Sequence, residues 1–499
     1  MAKTSFTVEQ LTEPWAAQRR SGAAALVTGV ASDSRQVKPG FVFVAVRGFA
    51  VDGHEFIGEA LERGAVAVVY QDPAAGALIP AEVTAVAVGD SRRVVAELAA
   101  EFWGQPSRDL TLVGVTGTSG KTTVSLMIDS IARAAGLSTG VIGTLGISVA
   151  GERRPSAHTT PDAVELQGLL ADMRDRGVKH VTMEVSSHGL ALDRVWPCRF
   201  DAAVFTNLSQ DHMDFHSDPD DYYLAKQRLF TDYARLAAPE KNLVGVVNLD
   251  DAAGERLVRD VVGPVVTYGL GAANVRAGQM HNRSNGLQLI VEFPDRRDPL
   301  PLDLPVLGRF NAYNALAAAA CAWALGYKLS AIREGLEKLR PVPGRFERVE
   351  AGQDFTVVVD YAHKPDALHN VLAAARELQP RRLLCVVGCG GDRDKIKRPQ
   401  MAQIATTEAD WAILTSDNPR TEQPQAIIDD MLAGVVGDNY QVVGDRREAI
   451  FEAINRCEPG DLLVIAGKGH ERYQIVGDRI LPFDDREVAL EALASLPPR

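Results

Sequence analysis

Short runs of β-branched and apolar residues alternate with helix-length stretches along most of this chain. Four runs in the middle of the sequence predict strands, at 141–144, 181–185, 202–206 and 244–248. Helical periodicity follows Pro161 and covers about 219–233. Strands that alternate with helices predict a parallel sheet, because each helix returns the chain to the same starting edge. Ligands are expected at the opposite edge, where the strands have their carboxyl ends.

Two breaks rich in proline and glycine, at 104–107 and 341–344, divide the chain into three parts. With the length of the chain, they predict domains over 1–106, 107–341 and 342–499. The first part has strand-like runs at 41–46, 65–70 and 83–88, mixed with helical stretches, as in a small α/β domain. The third part has five strand-like runs separated by helix-length segments, which predict a Rossmann-like, doubly wound unit. These runs lie at 355–359, 383–387, 411–415, 441–443 and 462–466.

The stretch 113–123 carries the clearest chemical pattern, and it reads Val-Gly-Val-Thr-Gly-Thr-Ser-Gly-Lys-Thr-Thr between a strand-like and a helical run. Gly117 and Gly120 let backbone N–H groups point at an anion, and the next helix adds its positive N-terminal end. Lys121 is placed to reach the β- and γ-phosphates, and a following threonine hydroxyl is placed to hold Mg²⁺. The pattern predicts a nucleoside triphosphate site, although Val115 stands where the general pattern has glycine. We therefore expect an α/β protein with three domains, of which the central one has a P-loop ATPase-type parallel sheet.

Composition narrows the class of protein further. The 499 residues are 46% apolar and 24% charged, as in ordinary soluble globular proteins, and the net charge is -12. This acidity and the lack of a basic run argue against a nucleic-acid surface. Because no apolar run is long enough for a membrane span, we expect a cytoplasmic protein without membrane insertion. The five cysteines lack metal-type spacing, which favours reduced, buried thiols.

Polar side chains follow two of the central strands. Glu184 ends one run and precedes Ser186, so a carboxylate reaches the ligand edge and is suited to complete a Mg²⁺ shell. A helix-capping or solvated acid is the alternative. His212, after the next strand, is a candidate ligand of a second metal ion, with a hydrogen-bonded loop histidine as the alternative.

Lys226 is unusual because it lies in an aromatic stripe of the helix predicted from 219. Tyr222 and Phe230 sit one turn before and one turn after it, on the same helix face. Removal from water lowers the pKa of a lysine and frees a neutral amine, which can react with carbon dioxide. The resulting carbamate is a metal ligand. The alternative is a lysine whose stem is covered while its ammonium reaches solvent.

Eight segments together resemble the ATP-dependent Mur ligases of peptidoglycan synthesis, over nearly the whole chain. They are 116–123, 184–188, 207–216, 225–226, 308–314, 343–345, 360–363 and 467–471. The resemblance is to the members that add the third amino acid of the peptide. It implies an N-terminal domain for a UDP substrate, a central domain for ATP and a C-terminal domain for the incoming amino acid.

The resemblance also implies roles for individual residues. The implied catalytic groups are Lys121, Glu184, His212 and Lys226, and the implied ligands of two Mg²⁺ ions are Thr122, Glu184, His212 and carbamylated Lys226. The implied ATP-binding residues are Gly117, Thr118, Ser119, Gly120, Lys121, Thr122, Thr123, Asn311, Arg345 and Asp360. The implied UDP-substrate residues are Ser34, Phe49, Ala50, Val51, Thr159, Thr160, Ser186 and Arg194. Leu192 stands where a glutamine is common in the family, so the hydrogen bond that this glutamine would make to the substrate is not expected here.

The loop at 415–420 indicates which amino acid is added. Pro419 stiffens it, and Arg420 presents a planar fork that suits a carboxylate. Meso-diaminopimelate has a carboxylate at its far end, beside an ammonium that Asp417 or Glu471 would accept, whereas L-lysine has no such carboxylate. A surface ion pair of Arg420 is the alternative. The resemblance extends the implied amino-acid site to Arg393, Asp417, Asn418, Pro419, Arg420, Gly467 and Glu471.

The implied reaction adds meso-diaminopimelate to the D-glutamate γ-carboxylate of UDP-N-acetylmuramoyl-L-alanyl-D-glutamate through an acyl phosphate. ATP is then the co-substrate, and we expect a monomer. Three alternatives stay open: the same reaction with L-lysine, a nucleotide-dependent regulatory ATPase, and an enzyme of the folylpolyglutamate synthetase type. The separate N-terminal domain disfavours the last.

Overall fold

The computed structural model describes residues 6–48, 51–238, 240–283 and 286–496. The chain forms two compact units. The first comprises Met1–Ala277, Val291–Leu300 and Tyr313–Leu336, and the second comprises Gly278–Ile290, Pro301–Ala312 and Glu337–Arg499. Among the described residues, every helix is too short or too polar to cross a bilayer.

The first unit begins with a small sheet that is buried on both faces. Its elements are β1 (Phe6–Thr7), α1 (Val8–Leu11), β2 (Arg19–Arg20), β3 (Leu26–Val27), β4 (Gly29–Ala31), β5 (Phe41–Val44), α2 (Ile57–Glu62), β6 (Ala67–Tyr70), β7 (Thr84–Ala87) and α3 (Ser91–Phe102). The strand order is β2-β7-β6-β5-β4, parallel except at β2. Val42 and Val44 enter one core cluster and Phe43 enters another, because successive strand residues point to opposite faces. The three strands predicted here are confirmed.

The central part of the chain carries the larger sheet and the glycine loop. Its elements are β8 (Thr111–Thr116), α4 (Lys121–Ala134), β9 (Thr139–Gly143), β10 (Gly146–Val149), β11 (Glu152–Arg154), α5 (Ala163–Asp175), β12 (His180–Glu184), α6 (Ser187–Ala191), β13 (Ala202–Phe205), α7 (Pro219–Ala237), β14 (Val244–Asn248), α8 (Ala252–Asp260), β15 (Val265–Gly269), β16 (Val275–Arg283), β17 (Gly286–Glu292), β18 (Leu300–Leu304), α9 (Arg309–Ala324) and α10 (Leu329–Glu337). Within the first unit the order is β11-β10-β9-β12-β8-β13-β14-β15. The six strands from β9 to β15 in this order are parallel. Because β8 lies between β12 and β13, the loops after these three strands meet at one edge.

The four strands predicted in the middle of the chain are confirmed as β9, β12, β13 and β14, whereas β15, β16 and β18 were not predicted. The antiparallel strands β10 and β11 at the edge of the sheet were not predicted, since they are short and β11 is fully exposed and polar. The helix predicted to end near 233 continues to Ala237, because Ala234 and Ala237 still face the core. The cysteine prediction holds, as all five thiols are free and buried.

The second unit contains a doubly wound sheet, as predicted. Its elements are β19 (Glu347–Val349), β20 (Thr356–Asp360), α11 (Pro365–Glu377), β21 (Leu383–Cys389), α12 (Lys397–Glu408), β22 (Trp411–Ser416), α13 (Pro424–Leu432), β23 (Tyr440–Val442), α14 (Arg446–Arg456), β24 (Leu462–Ala466), β25 (Tyr473–Val476), β26 (Arg479–Pro482) and α15 (Asp485–Ala494). The order is β19-β20-β24-β21-β22-β23, parallel except at β19. Cys385 packs into the core on one face, and Leu384 and Val386 pack into the core on the other. The two covered faces explain the continuous apolar runs of these strands.

A fully buried ion pair joins the first turns of α14 and α15. The guanidinium of Arg446 donates to both carboxylate oxygens of Asp485, at 2.7 and 2.6 Å, and both side chains are inaccessible to water. Arg446 also donates to the carbonyl of Ala466 at 2.9 Å, at the carboxyl end of β24. The pair therefore fixes the strand end from which the ligand edge of this sheet begins.

We expect Asp485→Asn to destabilise the second unit by about 3 kcal/mol, because it leaves the Arg446 charge buried without its counter-charge. Hydrogen exchange of the β24 amides measures this loss. Glu491→Gln is the matched control, since it breaks the exposed ion pair of Arg447 and Glu491 between the same two helices. It should change the same protection by less than about 1 kcal/mol. Equal losses in the two variants would contradict the role given to the buried pair.

Candidate active site

The glycine loop after β8 has the backbone that an anion site requires. Gly117 and Gly120 adopt positive φ angles of 144° and 86°, and α4 begins at Lys121. A Cβ on Gly117 would lie 1.9 Å from the hydroxyl of Thr206, so no other residue fits there. The N–H groups of Thr118 and Ser119 donate to the backbone and side-chain oxygens of Asn207, at 2.8 and 3.0 Å. The loop is thus held against the residue that follows β13.

Two lysine side chains meet at one carbonyl of this loop. Lys121 Nζ donates to the oxygens of Gly117 and Thr118, at 2.7 and 2.9 Å, and Lys226 Nζ donates to the same Gly117 oxygen at 3.0 Å. Lys226 is 2% exposed, and its Nζ lies 4.4 Å from the centre of the Tyr222 ring. The predicted aromatic stripe is confirmed in this contact, and the alternative of a solvent-reaching lysine is wrong.

The surroundings of Lys226 favour its uncharged form. Burial is the main cause that holds its pKa well below the usual range of lysine, and the nearby charge of Lys121 adds to this. Asp211 acts in the opposite direction, but more weakly. A neutral amine at this place can act as a nucleophile toward carbon dioxide, as the sequence predicts.

Glu184 lies at the carboxyl end of β12 and is buried. It accepts hydrogen bonds from the hydroxyl of Thr122 at 3.1 Å, and from the backbone N–H and hydroxyl of Thr144 at 2.9 and 3.0 Å. The alternative of a solvated or capping acid is therefore wrong. A carboxylate and a hydroxyl at the head of the anion loop form an oxygen-rich corner of the kind that Mg²⁺ prefers.

His212 belongs to a group of rings beside this corner. Its ring packs against those of His188 and Tyr222, with centroids 4.8 and 6.2 Å away, and its backbone φ is 57°. Tyr222 in turn approaches the hydroxyl of Thr118 at 3.1 Å. Burial, and then the neighbouring His216, lower the pKa of His188. In the part of the chain that is described, no group of three or more His, Cys, Asp or Glu side chains is arranged to hold a metal ion.

Four residues predicted for the UDP substrate lie together next to Glu184. The hydroxyl of Thr160 lies 3.0 Å from that of Ser186, and Arg194 donates to the Thr160 carbonyl at 3.1 Å. Thr159 approaches the hydroxyl of Thr144 at 3.1 Å. The predicted N-terminal contacts are separate: Ser34 donates to Glu59 at 2.7 Å, and Val51 is exposed. Phe49 and Ala50 lie outside the described residues.

Three predicted nucleotide residues belong to the second unit. Asp360 is at the carboxyl end of β20 and accepts hydrogen bonds from the N–H groups of Phe346 and Ala362, at 2.7 and 2.9 Å. Burial raises its pKa, against the lowering effect of Arg345. The Arg345 guanidinium stacks over Tyr361, and the amide of Asn311 donates to the Leu307 carbonyl at 2.8 Å.

The predicted amino-acid residues gather at the carboxyl ends of β21, β22 and β24. Arg420 has a φ of 51° and donates to the Gly391 carbonyl at 2.8 Å. Among the described residues no carboxylate oxygen lies within 4.0 Å of the Arg420 guanidinium, which is held by the carbonyls of Gly391 and Asn418 rather than by a surface ion pair. Asn418 donates to Glu471 at 2.9 Å. Arg393 is exposed and lies beside Gly390, which Arg420 also approaches.

Sequence reasoning missed several residues of both edges. Thr144 directly follows β9 and Asn207 lies two residues after β13, so the rule that located Glu184 applies to them too. Lys468 follows β24 after Gly467, is inaccessible to water, and donates to Asn418 at 3.0 Å. The sequence pattern that could have located Lys468 is a lysine between two glycines directly after an apolar strand.

These features define an α/β protein with a P-loop-type glycine loop on one parallel sheet and a doubly wound sheet in the second unit. Three family models match the chain, described as "Mur ligase family, catalytic domain" over 26–103, "Mur ligase middle domain" over 115–322 and "Mur ligase, glutamate ligase domain" over 344–469. The chain belongs to the Mur ligase family and is a ligase. The expected α/β fold of three domains is thereby confirmed.

Several proteins and solved structures are similar to this chain over nearly its whole length. A UDP-N-acetylmuramoyl-L-alanyl-D-glutamate--2,6-diaminopimelate ligase of Geobacillus thermodenitrificans is 45% identical, over 94% of this chain and 95% of that protein. The ligase of the same name from Halalkalibacterium halodurans is 46% identical, over 92% and 93%. A solved structure of a ligase with this name has a TM-score of 0.70 at 34% identity, over 94% and 96%. The MurF ligase of Thermotoga maritima in complex with ADP, with a TM-score of 0.60 at 20% identity over 93% and 96%, shares the fold.

We expect Gly117→Ala to abolish stabilisation by Mg·ADP, because the added methyl group collides with Thr206 and distorts the loop. In the parent, ADP at about 100 times its dissociation constant should add about 2.7 kcal/mol, seen as a higher Tm. Gly136→Ala is the control: its φ is also positive, at 82°, but a Cβ there has open space. The control should lose about 1 kcal/mol of stability and keep the ADP response. An ADP response retained in Gly117→Ala refutes this assignment of the loop.

Proposed function

We propose that this protein is an ATP-dependent ligase that joins meso-diaminopimelate to the D-glutamate γ-carboxylate of UDP-N-acetylmuramoyl-L-alanyl-D-glutamate. The names of relatives at 43–46% identity over nearly the full chain support this assignment. The observation that carries the choice of amino acid is Arg420, whose guanidinium donates to the Gly391 carbonyl and has no carboxylate oxygen within 4.0 Å among the described residues, on the same loop as Asp417. This arrangement suits a substrate end that has both a carboxylate and an ammonium.

The chemistry follows from the inertness of a carboxylate toward amines. Transfer of the γ-phosphoryl group of ATP to the D-glutamate γ-carboxylate makes an acyl phosphate and ADP. The diaminopimelate amine then attacks the acyl carbon, phosphate leaves with the C–O bond electrons, and a proton leaves the amine. Both steps need positive charge near anionic oxygens, and Lys121 at the head of α4 supplies it once it turns from the loop carbonyls to the phosphates.

For ATP we propose the loop residues Gly117, Thr118, Ser119, Gly120, Lys121, Thr122 and Thr123, with Asn311, Arg345 and Asp360. The positive φ angles of the glycines and the N-terminus of α4 support phosphate binding. The buried carboxylate of Asp360 and the stacked guanidinium of Arg345 are polar groups suited to the rest of a nucleotide.

We propose that two Mg²⁺ ions are held by Thr122, Glu184, His212 and a carbamate on Lys226, together with substrate oxygens. The fit rests on the donor set, since Glu184 and Thr122 present hard oxygen atoms and the buried amine of Lys226 is suited to carbamylation. Bound Mg²⁺ would neutralise phosphate charge during the transfer. Ring packing of His212 and hydrogen bonds from Thr144 to Glu184 orient these side chains.

For the UDP substrate we propose Ser34, Phe49, Ala50 and Val51 at the nucleotide end, and Thr159, Thr160, Ser186 and Arg194 at the sugar-peptide end. The second group is already preorganised next to Glu184. The loss of a glutamine at Leu192 leaves that position unable to donate to the substrate.

For the amino acid we propose Arg420 and Arg393 as contacts of the distal carboxylate. Asp417, Asn418, Pro419, Gly467 and Glu471 form the remainder of this pocket. The loop owes its shape to the left-handed conformation of Arg420, whose N–H donates to the Ile475 carbonyl at 3.0 Å.

The domain boundaries that we propose are 1–106, 107–341 and 342–499, and the three family matches lie inside them. A cytoplasmic monomer stays our prediction. A regulatory ATPase and a lysine-adding ligase are the competing functions, and substrate dependence separates all three.

We expect ADP release only when ATP, the UDP-dipeptide and meso-diaminopimelate are present together. With L-lysine in place of diaminopimelate, kcat/KM should fall by about 10³-fold or more, because the carboxylate site of Arg420 stays unfilled. A coupled ADP assay across a panel of amino acids measures both. ADP release without the amino acid would favour the regulatory ATPase, and equal use of lysine would refute the choice of diaminopimelate.

We expect Lys226→Ala to be nearly inactive and to regain part of its activity with added short carboxylic acids, which replace the carbamate oxygens. Labelled bicarbonate should give a carbamate carbon signal in the parent protein that is absent from the variant. The signal should disappear as the pH falls through the lowered pKa of Lys226, since only the neutral amine forms a carbamate. Lys241→Ala is the control. Lys241 is paired with Asp201 at 2.7 Å, so its removal should leave the carbamate signal unchanged. Full activity of Lys226→Ala in carbonate-free buffer would disprove the carbamate.

A further inference from the structure

Lys468 is a buried lysine that no role assigned so far explains. It lies between Gly467 and Gly469, whose φ angles of 118° and 54° are left-handed. A Cβ on Gly469 would approach Tyr361 Cβ to 2.7 Å, and one on Gly467 would approach a carboxylate oxygen of Asp417 to 3.0 Å. The backbone is therefore confined on both sides of Lys468, and its side chain is directed inward with no exposed surface.

The Lys468 ammonium holds three side chains of the amino-acid pocket. Its Nζ lies 3.0 Å from Asn418 Oδ1, 3.4 Å from Glu471 Oε2 and 3.5 Å from Asp417 Oδ1. The Asn418 oxygen also accepts from the Ile475 N–H at 3.0 Å, and its amide nitrogen donates to Glu471 at 2.9 Å. Because an ammonium only donates, Lys468 fixes which way the Asn418 amide points.

Lys468 also sets the charge of the pocket. Asp417 and Glu471 alone would present two negative charges, which favour a cationic side chain such as that of L-lysine. With Lys468 and Arg420 the pocket has as many positive as negative groups. Asp392 and Arg393 add one charge of each sign, the Arg446 charge is matched by Asp485, and Lys397, which interacts electrostatically with Asp417, donates to the His363 carbonyl. A pocket whose two carboxylates are balanced by Lys468 and Arg420 suits a substrate end that is itself zwitterionic.

We propose that Lys468 is a positioning residue that makes the amino-acid pocket selective for a zwitterionic end over a plain cationic end. The inference rests on the proposed function and extends it from the carboxylate contact of Arg420 to the charge balance behind it. Lys468 acts through Asp417, Asn418 and Glu471, and contact with the substrate is not required.

The test is the ratio of kcat/KM for meso-diaminopimelate to that for L-lysine in Lys468→Met, a variant of similar length without the charge. We expect the ratio to fall by at least about tenfold, carried by the amino-acid KM, because an uncompensated negative charge favours the cation. The KM values for ATP and for the UDP-dipeptide should stay within about twofold of the parent, whereas a merely structural defect would change kcat for every substrate. Arg447→Met removes an exposed cation of the same unit and should leave the ratio unchanged.

If Lys468→Met alone does not fold, the double variant Lys468→Met/Glu471→Gln is compared with Glu471→Gln and with the parent. The double variant loses one charge of each sign and so restores the charge balance, and its ratio should lie closer to that of the parent than the ratio of Glu471→Gln does. A parent-like ratio in Lys468→Met, or a double variant with the same ratio as Glu471→Gln, would overturn the role of Lys468. Failure of the parent to turn over diaminopimelate would instead contradict the proposed function itself.

Discussion

The carbonyl oxygen of Gly117 accepts hydrogen bonds from two lysine side chains, and the arrangement of the first unit depends on this contact. It requires a strand that ends at Thr116, a residue without a Cβ at 117, and a helix that brings Lys226 to the same oxygen. Burial beside the Tyr222 ring, and then the nearby charge of Lys121, hold the pKa of Lys226 well below the usual range of lysine.

In the second unit, buried arginine side chains form ion pairs with carboxylates. Arg446 is matched by Asp485, and Arg398 by Glu422 and Asp430 at 2.7 and 2.8 Å. Removing one partner of such a pair costs more than the pair contributes, because the remaining charge stays in a medium of low polarity. These pairs anchor backbone as well, since Arg398 donates to the Gly390 carbonyl and Arg446 to that of Ala466. Arg446 also donates to the carbonyl of Ser416 at the end of β22, so the loops that carry Arg420 and Lys468 begin from fixed strand ends.

Sequence predicted most of the strands, because strands buried on both faces form apolar runs bounded by glycine or proline. It also predicted that Glu184 and Arg420 follow strand ends, which is a property of position along the chain. It did not predict β10 and β11, which are short, with β11 polar and exposed, and whose pairing is set by the neighbouring strand. Nor did it predict that Asn207 holds the glycine loop or that Lys468 lies under Asn418. Those contacts join residues tens of positions apart, and no local pattern encodes which polar atoms meet once the strands are placed.

Lys226 and Lys468 show how neighbours decide the chemistry of one residue type. Both are buried at the carboxyl edge of a parallel sheet, and both donate to a neighbouring oxygen at 3.0 Å. Lys226 donates to a peptide carbonyl, which carries no full charge. Burial and the nearby charge of Lys121 lower the pKa of Lys226, so its surroundings favour a neutral amine that can be chemically modified. Lys468 faces the carboxylates of Asp417 and Glu471 at 3.5 and 3.4 Å, so it serves to balance their charge. A search for functional lysines that used burial alone would treat the two alike, whereas the sign of the neighbouring charges separates a reactive group from a positioning one.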